Sequence, residues 1–188
     1  MKWEADDIVF PVPQEIRRPG WVRIRRGVLS APECEELLRF AEEHGRWYRS
    51  GGKRIKRDVS MCSLGPEHIP WAFERLALLF ARENVWGFAL SGIVEPMRVQ
   101  KYGVGGYTRP HSDYDYRTAD QSKITAAIPL VPKRRWAGGD LIVAGRRVPR
   151  VERGDCLLFP SFAMHSVSPV TRGERVVLSA WVAGPRLV

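Results

Sequence analysis

The sequence predicts a mainly β fold with N-terminal α-helices, in which a jelly roll of two sheets is buttressed by the helices. From about Glu95 onward, short apolar stretches alternate with turn signals about eight times, which is typical of a sandwich or barrel. Before that point, two stretches carry apolar residues at helical spacing. The 188 residues suffice for one compact domain. We therefore predict a single domain over 1–188, with a support region at 1–94 and a jelly-roll core at 95–184.

The support region is predicted to contain one strand, at 21–28, and two helices. The first helix begins at the capping box of residues 30–33 (Ser-Ala-Pro-Glu) and ends at Gly45. The second helix covers about 66–84, with Phe73, Leu76 and Phe80 on one face. Both helices would thus present an apolar face to the sheet.

The core is predicted to contain strands at 97–102, 108–113, 124–131, 141–143, 146–151, 156–159, 166–170 and 175–182. Glycine-containing turn signals separate several of them, at 138–139, 154–155 and 172–173. Strands of this number and spacing favour a double-sheet jelly roll.

The chain is basic, with 30 Lys and Arg against 21 Asp and Glu, for a net charge of +9. A positive surface attracts anionic partners, including nucleic acids. The basic residues are mostly arginines spread along the whole chain, which GC-rich coding would also produce. The charge alone therefore does not predict a nucleic-acid partner.

The cysteines and the apolar runs bear on the cellular compartment. Cys34, Cys62 and Cys156 are widely spaced and form no CxxC pair, which argues against a disulfide framework and a cysteine zinc site. No apolar run is long enough to cross a membrane, and the N-terminus lacks the layout of a secretory signal. We predict a cytoplasmic protein without a membrane partner.

The histidines give the first indication of chemistry. His44 and His68 lie near the ends of predicted helices, where structural roles suffice. His111 and Asp113 are spaced i, i+2 in an extended segment, which directs both side chains to one face. His165, 54 residues after His111, is the best remaining third ligand if facing strands of a sandwich bring it close. Two histidines and one carboxylate form the facial triad of non-haem Fe(II) oxygenases, although an HxD pattern alone is weak. Asp115 could replace Asp113 only with a local bend.

Arg175 strengthens this hypothesis. It opens the last strand, where alternation places Arg175, Val177, Ser179 and Trp181 on one face. If this face lines the barrel interior, Arg175 is a buried cation that needs a partner, such as a carboxylate in a metal pocket. The alternative is a surface arginine at the start of a strand.

The combined motifs resemble a known family. They are Tyr102, the His111-Ser-Asp113 motif, Gly138-Gly139-Asp140, a Gly-Asp-Cys-Leu-Leu-Phe-Pro-Ser run at 154–161, His165, and Gly-Glu-Arg ending at Arg175. In this order they resemble the 2-oxoglutarate- and Fe(II)-dependent oxygenases, on the prolyl 4-hydroxylase-like branch. The resemblance covers about 95–184 and implies a double-stranded β-helix, which is a distorted jelly roll.

The resemblance also implies roles for individual residues. His111, Asp113 and His165 would bind Fe(II), and Arg175 would hold the C5 carboxylate of 2-oxoglutarate. Tyr102 matches a tyrosine that often helps to bind that carboxylate, and Thr125 stands where a polar strand residue sometimes does the same. A carboxylate at 113 argues for hydroxylation and against halogenation. Ascorbate would serve as a reductant in vitro.

The substrate is not identified by any motif. The segment 46–57 contains six basic residues and no acidic residue, and is either a flap for an anionic group or a solvated loop. Tyr114 and Tyr116 either line the substrate mouth or pack. The short chain favours a small-molecule substrate, anionic or amino-acid-like, free or carrier-linked, and disfavours nucleic acid. Two alternatives stay open: a hydroxylase of proteins or nucleic acids that uses the basic surface, and a cupin-like metal protein that uses no 2-oxoglutarate.

Overall fold

The computed structural model describes residues 20–50, 57–114 and 120–186. It contains two α-helices, α1 (Ala31–His44) and α2 (Pro70–Glu83). The capping box that was expected at the start of α1 is present: the Ser30 hydroxyl accepts from the Glu33 N–H, and the Glu33 carboxylate accepts from the Ser30 N–H. Gly45 ends the helix in an extended conformation, while its N–H still donates to the Ala41 carbonyl.

Helix α2 begins later than the predicted start at Pro66. The N–H of His68 donates to the carbonyl of Gly65 and closes a turn there, so the helix begins only at Pro70. Both prolines fit a first helical turn, because neither has an N–H to leave unpaired. The apolar face lies as predicted, with Leu76 and Phe80 fully buried.

The strands and one short 3₁₀ helix (Lys133–Arg135) complete the fold. The strands are β1 (Arg23–Arg25), β2 (Tyr48–Ser50), β3 (Arg57–Leu64), β4 (Met97–Tyr102), β5 (Tyr107–His111), β6 (Asp120–Pro129), β7 (Trp136–Gly138), β8 (Leu141–Val143), β9 (Arg146–Arg147), β10 (Cys156–Pro160), β11 (His165–Val167), β12 (Val170–Gly173) and β13 (Arg175–Pro185).

Antiparallel pairing links most of these strands into one curled sheet. Its order is β1-β10-β6-β13-β4-β3-β5-β11-β8-β9, with β2 paired to β3. The sheet folds over at β3, because Ser60–Leu64 pair with β4 whereas Arg57 and Asp58 pair with β5. The fold divides the sheet into a larger part, made of β1, β10, β6, β13, β4 and β3, and a smaller part, made of β5, β11, β8 and β9. These two parts face each other. This arrangement confirms the predicted helix-buttressed jelly roll.

Strand β13 shows how the two faces differ. Every residue of β13 except the last is buried, so both of its faces are covered. Val176, Leu178 and Val182 join the core that packs under the helices with Leu37 and Leu76. The alternate residues, beginning with Arg175, point between the two parts of the sheet, as the sequence alternation predicted.

Several predicted strand limits are wrong, and proline accounts for two of them. Pro149 follows shortly after β9, which ends at Arg147, and Pro169 separates β11 from β12 within the predicted strand 166–170. The predicted strand 21–28 is reduced to the three residues of β1. The segment 46–57 contains β2 and the start of β3. Its residues 51–56, between these two strands, lie outside the described part of the chain, so the predicted flap or loop stays a prediction. Asp115 and Tyr116 also lie outside the described part.

The three cysteines are buried and unpaired, as expected for core residues. Burial raises the pKa of Cys34 to about 11, so its thiol stays protonated at neutral pH. Neither of the two helices that the structure describes is long and apolar enough to cross a membrane.

Candidate metal centre and its pocket

Two neighbouring strands bring the two candidate histidines together. His111 ends β5 and His165 begins β11, and the two residues are direct partners in the antiparallel pair. The 54-residue separation is thus closed within one sheet, and not across facing sheets as the sequence suggested. Asp113 follows β5 and is held by its N–H, which donates to the Ser161 carbonyl at 2.9 Å. One ligand atom from each of the three side chains lies within 4.8 Å of the others.

Both imidazole rings are oriented for metal binding. The Nδ1 atom of His111 lies 3.0 Å from the Arg109 carbonyl oxygen, and the Nδ1 atom of His165 lies 2.9 Å from that of Ala163. Because a carbonyl only accepts, each Nδ1 carries the proton, and each Nε2 keeps its lone pair. Both Nε2 atoms lie 3.5 Å from Asp113 carboxylate oxygens. This is the orientation in which histidine binds a metal.

The electrostatics of the three groups favour a divalent cation. Burial raises the pKa of Asp113, but its interactions with His111 and His165 and the hydrogen bond from the Trp181 N–H together lower it to about 2. Burial lowers the pKa of His165, against the opposing effect of Asp113. Near neutral pH the site therefore presents an anionic carboxylate and a neutral imidazole, the protonation states that bind metal.

Two donors fix the Asp113 carboxylate from β6 and β13. Its Oδ2 accepts from the Trp181 indole N–H at 2.8 Å and from the Thr125 hydroxyl at 2.9 Å. The Thr125 hydroxyl also lies 2.9 Å from the buried Ser161 hydroxyl. Trp181 and Thr125 face each other across the β13–β6 pair. Thr125 therefore lies at the metal ligand; its contact with 2-oxoglutarate stays a prediction.

Replacing Trp181 with phenylalanine is expected to weaken metal binding about tenfold, because Asp113 loses a donor that orients it. The measurement is Fe(II) affinity by competition with a chromogenic chelator. Trp86→Phe is the matched control, since the Trp86 indole donates to the Gly20 carbonyl at the surface. Equal metal affinity of the wild type and Trp181→Phe would show that the indole does not orient the carboxylate.

Arg175 lies inside the same pocket. The residue is only 7% exposed, and its Cζ lies 5.1 Å from the ring centroid of Tyr102, its partner on β4. Burial lowers the pKa of Arg175, against the opposing effects of Tyr102 and Asp140. Asp140 is itself bound by Arg147 and Arg150. Within the described residues, no carboxylate lies within 4.0 Å of the Arg175 guanidinium. A buried cation of this kind is costly unless a ligand carboxylate pairs with it.

The Gly138-Gly139 motif makes room for Arg175. Gly139 has a φ of +59°, and a Cβ built on it would lie 2.9 Å from Arg175 Cδ and from Val170 Cγ2. Gly139 therefore meets two requirements, a left-handed backbone and space for the arginine stem.

Gly139→Ala is expected to displace Arg175 and weaken 2-oxoglutarate binding about tenfold, while the left-handed backbone costs about 1 kcal/mol of stability. Gly145→Ala is the control, because Gly145 has a φ of +74° and open space around its Cβ position. Both variants are expected to lose stability in thermal unfolding, Gly139→Ala more because its Cβ crowds Arg175 and Val170, and only Gly139→Ala is expected to lose 2-oxoglutarate affinity. Equal affinities of the two variants would contradict this role.

The pocket between the two parts of the sheet unites all six candidate residues: the metal triad, Thr125, Tyr102 and Arg175. Several lining residues had no predicted role, namely Arg98, Gln100, Ser179 and Trp181. Arg57, which was predicted to belong to a flap or a solvated loop, also lines the pocket. The alternation of β13 already placed Ser179 and Trp181 on the face of Arg175. Tyr114, which had two predicted roles, has its ring centroid 5.8 Å from the buried Lys123 Nζ.

Comparisons with known proteins agree with this arrangement. Residues 97–183 match the family model described as the 2OG-Fe(II) oxygenase superfamily. A PKHD-type hydroxylase of Idiomarina loihiensis is 32% identical over 92 residues, which make up 47% of this chain and 42% of that protein. The chain thus spans less than half the length of that curated relative.

Two solved structures share the fold. One is the viral collagen prolyl hydroxylase of Paramecium Bursaria Chlorella virus-1, in a 2OG complex, which matches with a TM-score of 0.69 at 19% sequence identity. That match covers 88% of this chain and 97% of the viral protein. The other is a Trichoplax adhaerens prolyl hydroxylase, in complex with a peptide fragment of hypoxia inducible factor, which matches with a TM-score of 0.68 at 18% sequence identity. That match covers 86% of this chain and 83% of the Trichoplax chain.

Proposed function

We propose that the chain is an Fe(II)- and 2-oxoglutarate-dependent hydroxylase, since residues 97–183 match the model of the 2OG-Fe(II) oxygenase superfamily. The observation that carries this proposal is the convergence of His111, Asp113 and His165 in a pocket that also holds a buried arginine, to which no carboxylate of the described residues is paired. The donor set fits Fe(II), since two imidazoles and one carboxylate leave coordination positions open for a chelating 2-oxo acid and dioxygen.

Different residues would bind the metal and hold its carboxylate ligand in place. His111, Asp113 and His165 would hold the metal, and the Trp181 and Thr125 donors keep the carboxylate in place. When bound, Fe(II) and 2-oxoglutarate supply the oxidising chemistry, in which 2-oxoglutarate and dioxygen yield succinate, CO2 and one oxygen atom for the substrate.

Arg175 and Tyr102 form the other half of the 2-oxoglutarate site. The Arg175 guanidinium would bind the C5 carboxylate bidentately, which offsets the cost of burying the cation. The Tyr102 hydroxyl lies 3.1 Å from the Thr108 hydroxyl, and this contact fixes the ring beneath the arginine. The protein thus supplies a positioned, dry pocket, while the cofactors supply the reactivity.

We propose a small molecule, anionic or amino-acid-like, as the substrate. A protein substrate is the second candidate, because the Trichoplax structure that shares the fold contains a peptide. The cupin-like alternative would leave Arg175 without a ligand carboxylate, and is disfavoured for that reason.

A succinate-release screen tests the proposal. Purified protein with Fe(II), ascorbate and 2-oxoglutarate would be offered amino acids, small carboxylic acids and short peptides, and products would be examined by mass spectrometry. We expect one of these classes of compound to increase succinate release, and the compound itself to gain the mass of one oxygen atom. Product from peptides alone would favour the protein substrate. Metal binding without any turnover or binding of 2-oxoglutarate would contradict the proposed function.

A further inference from the structure

The pocket contains two arginines that the proposed metal and 2-oxoglutarate sites do not use. Arg98 lies on β4, opposite Ser179 of β13, whose side chain also lines the pocket. Arg57 opens β3, opposite the buried Thr108 of β5. Directly opposed residues in an antiparallel pair point to the same face, so the register directs both arginines inward.

Arg98 is held rigidly next to a metal ligand. Its Cζ lies 4.7 Å from the ring centroid of Trp181, the residue whose indole donates to Asp113. One guanidinium nitrogen lies 3.0 Å from the Glu95 carboxylate, and the Arg98 side chain is 32% exposed. The stacked guanidinium thus has a fixed plane and retains donors for another partner.

Arg57 has a weaker set of partners. Its Nη1 lies 3.9 Å from the Met61 sulfur, a weak acceptor. In the part of the chain that the structure describes, no carboxylate lies within 4.0 Å of its guanidinium. Among the described residues, Arg57 is therefore a pocket cation without a carboxylate partner.

The charges of the loaded pocket leave one positive charge in excess. Asp113 is the only carboxylate among the described lining residues, which include three arginines. With Fe(II) and 2-oxoglutarate bound, the metal and Arg175 balance the charge of Asp113 and of the two 2-oxoglutarate carboxylates. Among the described residues, Arg57 and Arg98 then remain against the single carboxylate of Glu95, which pairs with Arg98 at the edge of the pocket. A partly buried cation that is left without a counter-charge favours an anionic ligand.

We propose that Arg57 and Arg98 form a substrate subsite that binds a carboxylate of a small molecule and so presents its C–H bond to the metal. Arginine forks match a carboxylate bidentately, and two of them on different strands fix its orientation as well as its position. This inference rests on the proposed function, because it takes the third arginine, Arg175, as occupied by 2-oxoglutarate.

Binding without turnover tests the subsite. Protein loaded with Zn(II) and 2-oxoglutarate would be titrated with N-acetyl L-amino acids and their primary amides, followed by ligand-observed NMR. The acetyl group removes the ammonium charge, so each acid–amide pair differs in one carboxylate only. We expect at least one acid to bind about tenfold more tightly than its amide. Arg57→Gln and Arg98→Gln are each expected to lower the affinity for that acid about tenfold.

Two control variants accompany this experiment. Arg39→Gln removes an exposed charge on α1, outside the pocket, and is expected to leave acid binding unchanged. Arg98→Lys keeps the charge and is expected to recover part of the affinity. The test variant Arg57→Gln leaves the Trp181 stacking intact. All variants are expected to keep wild-type 2-oxoglutarate affinity.

The outcomes separate the subsite from the proposed function. If 2-oxoglutarate binds but no acid binds, or acids and amides bind equally, or the Arg57 and Arg98 variants bind acids as the wild type does, the subsite is refuted and the oxygenase remains. Competition by inorganic phosphate that exceeds every acid would also refute the carboxylate assignment. If 2-oxoglutarate itself does not bind, the proposed function fails first.

Discussion

Asp113→Ala is expected to lower Fe(II) affinity by more than about 100-fold and to abolish succinate release. The substitution removes the carboxylate ligand and leaves the two imidazoles, which compensate poorly for the lost negative charge. It also leaves the Trp181 N–H and the Thr125 hydroxyl without their acceptor in a buried site. Metal affinity by chelator competition and succinate formation by mass spectrometry measure the two effects separately.

A carboxylate outside the pocket serves as the control for Asp113. Glu36 is exposed on α1, and Glu36→Ala is expected to keep wild-type metal affinity and turnover. Thermal unfolding of both variants separates a lost ligand from a lost fold. Turnover by folded Asp113→Ala at the wild-type rate would remove Asp113 from the metal site.

Arg175→Gln is expected to weaken 2-oxoglutarate binding by about 30-fold or more while leaving Fe(II) affinity unchanged. Truncating one partner of a buried charge pair typically costs about 2–5 kcal/mol, and 2 kcal/mol corresponds to about 30-fold. The ligand-free variant is expected to unfold at the same or a higher temperature than the wild type, because the buried cation has no carboxylate partner without its ligand. Calorimetric titration of the metal-loaded protein and thermal unfolding measure these effects.

Two further variants isolate the role of the Arg175 side chain. Arg175→Lys keeps the charge but loses the planar fork, so an intermediate affinity is expected. Arg172→Gln removes an exposed arginine of β12 and is expected to leave the 2-oxoglutarate affinity unchanged. If Arg175→Gln binds 2-oxoglutarate as the wild type does, the co-substrate carboxylate is held elsewhere.

Local spacing explains what the sequence predicted well. The i, i+2 spacing of His111 and Asp113 and the alternation that begins at Arg175 are properties of single extended segments, and both persist in the fold. The capping box at Ser30 is local in the same sense. For these features one stretch of chain determines the geometry, so no knowledge of strand pairing was needed.

Strand pairing explains what the sequence did not predict. The indole of Trp181 reaches Asp113 across 68 positions of the sequence, and Arg98 reaches the pocket because β4 pairs with β13 in one register. A shift of that register by one residue would turn Arg98 to the helix-covered face. Arg57 was assigned to a basic flap or loop, because neither its strand nor its pairing with β5 has a strong local signal. The sequence predicted that His111 and His165 lie close together, but on facing strands, because spacing alone cannot distinguish neighbouring from facing strands.

Anaerobic calorimetric titration of 2-oxoglutarate into the Fe(II)-loaded and metal-free protein tests whether the metal triad and Arg175 form one 2-oxoglutarate site. We expect one 2-oxoglutarate per chain, bound tightly only with the metal, because the pocket places the His111–Asp113–His165 triad and Arg175 to hold the two ends of the same molecule. Metal binding with no binding of 2-oxoglutarate, or equal 2-oxoglutarate affinity with and without metal, would contradict it.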